Sequence, residues 1–132
     1  MESFEVTIKG KTHKVKCIEN LCGHSIRPYV IHAGKSVPIV NNGSTVKMEE
    51  GEQYAIETFG STGQGVVYND NTDISHYMMK PEFMKNPPKL KNANAAKLFD
   101  VIKTEFGSLA FCRKWLEEYF PRHFGPLKML TD

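Results

Sequence analysis

No apolar run in the 132 residues approaches the roughly 20 that a membrane helix needs. The opening Met1-Glu2-Ser3-Phe4-Glu5 has neither the basic flank nor the apolar centre of a signal peptide. Charge of one sign is also missing. Seventeen basic and fifteen acidic residues are mixed along the chain and leave a net charge of +2, too mild a bias to argue for nucleic acid. Lys97, Lys103, Arg113 and Lys114 give the helical region a basic flavour, which reads as a solvated face rather than a winged-helix DNA reader. Cysteine is scarce and odd in number: Cys17, Cys22 and Cys112. Such a count favours free thiols in a reducing compartment. Cys17, Cys22 and His24 depart from the usual C-x2-C spacing and no second pair follows, which argues against structural zinc. Gly60-Ser61-Thr62-Gly63-Gln64-Gly65 lacks the Lys-Ser/Thr ending of a phosphate-binding loop. There are no repeats and no low-complexity segment.

What is present is a chain of one domain's length, or of a domain and a small appendage, with 40% hydrophobic residues. Phe4, Val6 and Ile8 alternate with polar neighbours, the period of a half-buried strand. Gly10 supplies a turn, and Thr12 to Lys16 returns as an edge strand. Gly23 allows a turn or a close backbone approach, which places His24 in a loop between strands. Ser36 to Val40 reads as a short strand, put at an edge by Pro38. Gln53 to Phe59 reads as the central strand and Val66 to Tyr68 as another, with a loop at 60–65 between them.

Composition shifts after Tyr68. Residues 69–73 read as loop, and the Lys-, Pro- and Asn-rich stretch 80–92 reads as extended. Ala95, Leu98, Phe99, Ile102 and Phe106 form a helical stripe, capped by Asn92 or Asn94 and ended by Gly107. Ser108 to Phe120 predicts a second helix and Leu127 to Leu130 a third, running to Asp132.

Glu57 carries the sharpest chemical argument. A carboxylate on the inward face of a central strand costs several kcal/mol unless it is paired or binds a metal; the alternative is that it faces solvent. His24 is by spacing a structural histidine or a ligand for a divalent metal. His32 has room beside it at Ala33-Gly34, and His76 is a weaker case of the same kind. His13 and His123 read as surface residues. Asp70 and Asp73 could add oxygens but need no such role. One histidine and one carboxylate fall short of the three protein ligands usual in a hydrolytic site.

Several stretches resemble type 2 methionine aminopeptidases: Gly23-His24-Ser25-Ile26, Ile31-His32-Ala33-Gly34-Lys35, Val37-Pro38-Ile39-Val40, Met48-Glu49-Glu50-Gly51-Glu52, Tyr54 to Gly63, Ser75-His76-Tyr77-Met78 and Phe106 to Arg113. They cover essentially the whole chain, in order. The resemblance implies an α/β (α+β) architecture, part of a pita-bread fold with a helical insert. Residues 1–73 would belong to the catalytic domain and 74–132 to the insert. It implies metal ligation by His24 and Glu57, and a catalytic, substrate-contacting role for His32. Ile31, His32, His76 and Ala110 would bind substrate around the methionine side chain. The implied activity is removal of the initiator methionine from nascent polypeptides by a metal-bridged water, with two divalent ions (Co, Mn, Zn or Fe). It also implies a cytoplasmic protein with the ribosome as a partner, and no membrane or nucleic-acid specificity.

The family's two aspartate ligands and one further glutamate find no counterpart here, so the chain is expected to be an internal fragment, inactive alone and prone to self-association through unpaired sheet edges. The alternative is a non-catalytic binding protein on the same fold. Intact His24 and Glu57 argue against it, because the non-catalytic relatives of this fold lose their ligands. A third reading is an interaction module in residues 74–132.

Overall fold

The structure is a computed structural model that describes residues 1–70 and 73–131. The expected loop positions Asn71 and Thr72, and the terminal Asp132, lie outside the described residues. The chain divides into two units, Met1–Asn71 and Thr72–Asp132. Both helix and strand are present, an α+β content.

Among the described residues, the regular elements of the first unit are all strands: β1 (Glu5–Ile8), β2 (Lys11–Lys14), β3 (Lys16–Cys17), β4 (Cys22–Ile26), β5 (Ser36–Pro38), β6 (Gln53–Ala55) and β7 (Gly60–Ser61). β1 and β2 form the expected antiparallel hairpin, with Ile8 opposite Lys11 across the turn. Its apolar alternation is not half-buried as expected. Phe4, Val6 and Ile8 are all exposed, because nothing in this unit packs on that face.

The main sheet has the order β5-β4-β6. Its central strand is therefore β4, not the Gln53–Phe59 stretch that the sequence pattern favours. β6 lies at an edge and holds only Gln53–Ala55, and Ile56 beyond it is exposed. β4 is paired on both sides: His24 lies opposite Ser36 of β5 and Ala55 of β6. Gly23 explains how the sheet closes. A Cβ there would run into the Ala55 carbonyl oxygen and sit 3.0 Å from the Glu57 nitrogen. Only glycine lets the chain leaving β6 pass so near β4.

Two further expectations are corrected. Gly60-Ser61 is not loop but β7, paired with β3. Val66–Tyr68 forms no strand. The side chain of Asn20 instead clasps Val67, accepting from its N–H at 2.9 Å and donating to its carbonyl at 2.7 Å.

The second unit contains β8 (His76–Tyr77), α1 (Pro81–Lys85), α2 (Ala93–Glu105), β9 (Phe111–Cys112), a short 3-10 turn (Arg113–Trp115), α3 (Leu116–Tyr119) and α4 (Phe124–Thr131). α2 is as expected. Asn92 caps it, its side chain accepting from the N–H groups of Asn94 and Ala95, and Gly107 follows with φ +58. Ala95, Leu98, Phe99 and Ile102 are buried along one face. Leu98, Phe99 and Ile102 join Met79, Phe111, Leu116 and Leu127 in one core.

The extended reading of 80–92 fails at α1, where Pro81 occupies the first helical turn, a position that needs no N–H. The helix expected over Ser108–Phe120 is broken. Phe111–Cys112 is drawn into a ladder with His76–Tyr77, and only the four residues of α3 are α-helical. His123 is not a surface residue but fully buried, stacked on Phe124 at 4.5 Å.

Candidate functional site

β4 delivers His24 to the middle of the sheet. The strand then turns back through a tight hairpin. Arg27 and Val30 exchange both main-chain hydrogen bonds, at 3.0 and 2.9 Å, around Pro28 and a Tyr29 in the left-handed region at φ 58. The return segment carries Ile31 and His32 alongside β4. The rings of His24 and His32 consequently meet edge to face, with centroids 4.3 Å apart. His24 is thus a strand residue, not the loop residue of the sequence reading.

Glu57 arrives from the other side. It lies two residues past the end of β6, where Gly23 leaves space. Its Oε1 is 3.1 Å from His24 Nε2. The carboxylate side chain is 38% exposed and the imidazole 13%. Glu57 is therefore half-buried at an open edge rather than enclosed within the sheet, and it is paired.

The two nitrogens of His24 set a constraint. Nδ1 lies 3.2 Å from the Ser25 carbonyl oxygen, which can only accept. A neutral imidazole carries one N–H and can donate to only one of the two oxygens that face it, the Ser25 carbonyl at Nδ1 or Glu57 Oε1 at Nε2. With the proton on Nδ1, the Nε2 lone pair faces Glu57 Oε1, another acceptor. Two acceptors at this distance need a proton or a cation between them. A divalent ion fits. Bonds of about 2.0–2.1 Å to imidazole nitrogen and about 2.0–2.2 Å to carboxylate oxygen place two donors of one ion roughly 3 Å apart. The Nδ1–carbonyl bond is also the usual support of a ligating histidine. These two residues suit a metal as a partial donor set. Among the described residues no group of three His, Cys, Asp or Glu side chains is assembled.

His32 is exposed with its ring beside that of His24, and Ile31 next to it is half-buried. His76 and Ala110 belong to the second unit. His76 is exposed on β8, with Nδ1 2.8 Å from the Ser75 hydroxyl. Ala110, also exposed, immediately precedes β9, the strand that pairs with β8.

Two contributors escape the sequence reading. Ser25, only 5% exposed, ties β4 to the His32 segment. Its position next to His24 on an alternating strand is the signal that could have found it. The other is an ionic cluster. Lys35 Nζ lies 2.6 Å from Glu52 Oε1 and 3.3 Å from Glu49 Oε2, and donates to the Lys47 carbonyl at 3.1 Å. The Tyr54 hydroxyl donates to Glu52 Oε2 at 2.6 Å. The Lys35 ammonium first, then the Tyr54 hydroxyl and the Glu49 N–H, hold the Glu52 carboxyl down to about 2. Hydrogen bonding to Glu52 raises both Lys35 and Tyr54.

The chain is 56% identical over 117 residues to Methionine aminopeptidase 2 of Schizosaccharomyces pombe, covering 89% of this chain and 27% of that protein. It is 53% identical over the same length to that of Kluyveromyces lactis, and 55% to that of Saccharomyces cerevisiae, with equal coverage. Over this stretch the chain is similar in sequence to proteins named Methionine aminopeptidase 2. It spans about 27% of the length of the curated relatives it matches. No protein-family model matches it. No helix of the described residues is long and apolar enough to cross a membrane.

Proposed function

We propose that the chain carries part of the catalytic centre of a metal-dependent aminopeptidase that removes the initiator methionine from nascent polypeptides. The observation that carries this reading is the His24 Nε2–Glu57 Oε1 pair at 3.1 Å, braced by the Ser25 carbonyl. Relatives named Methionine aminopeptidase 2, at 53–56% identity, support it. His24 and Glu57 would hold a divalent ion, one of two of Co, Mn, Zn or Fe. When bound, such ions polarise a carbonyl and provide a nucleophile at neutral pH. His32 has a separate role. Its ring N–H donates to the oxygen of the scissile peptide as negative charge develops there. Ile31, His76 and Ala110 are the further substrate-binding candidates. Residues 1–73 would be a portion of a pita-bread catalytic domain and 74–132 its helical insert, in a cytoplasmic protein working near the ribosome.

Two donors are too few to hold a catalytic ion firmly. The 132 residues by themselves are therefore inactive, and further donors come from outside them. The test is a Co2+ titration of this chain followed by visible absorption. His24→Ala abolishes the signal, and Glu57→Gln weakens binding by at least about tenfold, the scale on which even supporting groups of metal sites act. Equal binding by the wild type and both variants would overturn the metal reading. Methionine release from a tripeptide by the 132-residue chain would overturn the claim that it is inactive alone.

A further inference from the structure

Ser25 follows His24 in β4 and is bonded both to the His24 ring and to the segment that follows His32. Its N–H donates to the Lys35 carbonyl at 2.8 Å, and its carbonyl accepts from the Ala33 N–H at 2.8 Å. Its hydroxyl accepts from the Lys35 N–H at 2.9 Å. The same carbonyl lies 3.2 Å from His24 Nδ1. Three of these bonds clamp the segment immediately after His32, and the fourth sets the tilt of the His24 ring. The side chain is almost fully buried, so the Lys35 N–H has no easy replacement from water if the hydroxyl is removed. Of these bonds only the one made by the hydroxyl is specific to serine, and it is the bond that Ser25→Ala removes.

We propose that Ser25 is a positioning residue that fixes the spacing and mutual orientation of His24 and His32. The inference rests on the aminopeptidase reading for its meaning in catalysis, but its geometry is tested without any metal or turnover. Ser25 acts through other groups. It touches neither substrate nor ion. Its carbonyl faces Nδ1 of His24, and its hydroxyl holds the turn that aims His32.

The lysine side chain offers the contrast. Lys35 also reaches Glu52 and Glu49 through its ammonium, so the turn has a second, ionic tether. If Ser25 sets the geometry, removing that tether leaves the two rings in place.

The experiment is histidine-ring NMR on the 132-residue chain. The wild type shows a cross-relaxation peak between the His24 and His32 rings. Ser25→Ala loses most of that peak, and exchange of the Lys35 amide speeds up by about fivefold, the factor for one net hydrogen bond. Ser25→Thr, which keeps the hydroxyl, restores both. Lys35→Met keeps the ring peak. A wild-type ring peak and wild-type Lys35 exchange in Ser25→Ala would overturn the proposal, as would loss of the ring peak in Lys35→Met. Should both Ser25 variants lose the β1–β2 amide signals and fail to fold, exchange in the wild type decides. The Ser25, Ala33 and Lys35 amides then open together at one rate, and an unprotected Lys35 amide overturns the proposal. A Zn2+ titration in the same spectra separates the two ideas. If the His24 ring does not respond to Zn2+, the metal reading fails, while the positioning role stands or falls on the ring peak.

Discussion

Among the described residues of Met1–Asn71, Ile18 is the one buried hydrophobic side chain, whereas the Thr72–Asp132 unit buries eight, from Met79 to Leu127. The first unit is knit by ladders and by polar clasps: Asn20 on Val67, Ser25 on Lys35, Lys35 on Glu52. The second is held by apolar burial behind one capped helix. Hydrogen bonds specify position but contribute little net free energy each, about 0.5–1.5 kcal/mol. Apolar burial contributes more and specifies less. The candidate ligands sit in the unit built for position, which is where chemistry that tolerates little displacement belongs. That unit should also be the first to lose amide protection on heating.

The contrast is most directly broken at Leu98, which is fully buried. Leu98→Ala is expected to cost about 2–5 kcal/mol, read from urea unfolding of the helical signal and from exchange across Ala93–Glu105. A cost near zero would mean that the apolar cluster is not what stabilises the second unit. The matching test in the first unit is Gly23→Ala. Its Cβ meets backbone rather than a yielding side chain, so overpacking of about 1–3 kcal/mol is expected. Its more telling effect is on the site. Pushing the chain after β6 away moves Glu57 off His24, and Co2+ binding should fall as it does in Glu57→Gln. Unchanged Co2+ affinity would show that Gly23 does not set the approach of Glu57.

The same contrast explains what could be read in advance. α2 was legible because its causes are local: a stripe at helical spacing, Asn92 before it and Gly107 after it. β9 was not, because Phe111 and Cys112 leave a helical pattern only to meet Tyr77 and His76, more than thirty residues away. α1 is not legible in advance because a Pro-rich stretch favours extended chain, although Pro81 falls where a helix tolerates it. The central strand was misplaced for a related reason. Cys22-Gly23-His24-Ser25-Ile26 has little intrinsic strand preference, and it becomes a strand because β5 and β6 pair with it on both edges. For the site, residue chemistry leaves His24, His32 and Glu57 open between structural and ligand roles and the family resemblance singles them out; His24 and Glu57 meet at hydrogen-bond distance with the His32 ring beside them. Ser25 and Glu52 stayed hidden, since a serine and a surface glutamate carry no signal until the turn that uses them exists.

A smaller effect sharpens the second unit's side. Asn92→Ala removes the acceptor for the Asn94 and Ala95 N–H groups. It should cost about 1 kcal/mol, visible as faster amide exchange in the first turn of α2 with the apolar cluster intact. If those amides exchange unchanged, the cap is replaced by water and the helix is held by its buried face alone.

The smallest effect belongs to the ionic tether, and acid is the way to reach it. Glu52 is held at about 2 in the folded chain against an ordinary 4.5. Its folded value is depressed, so on acidification the unfolded chain takes up the proton first. The stabilisation is therefore complete above about 4.5 and disappears as pH falls towards about 2. Lys35 is shifted upward from 10.5, so its share persists below that value and is lost only as pH rises through the raised one. These groups are partly solvated, so the gain is small and salt shrinks it further. Glu52→Gln should flatten the acid limb of first-unit stability between those two values, measured by amide exchange at Lys35 and Ser25 in low and high salt. An acid limb that Glu52→Gln leaves unchanged would mean that the ion pairs add nothing to the His32 turn. Ser25 would then hold that turn alone.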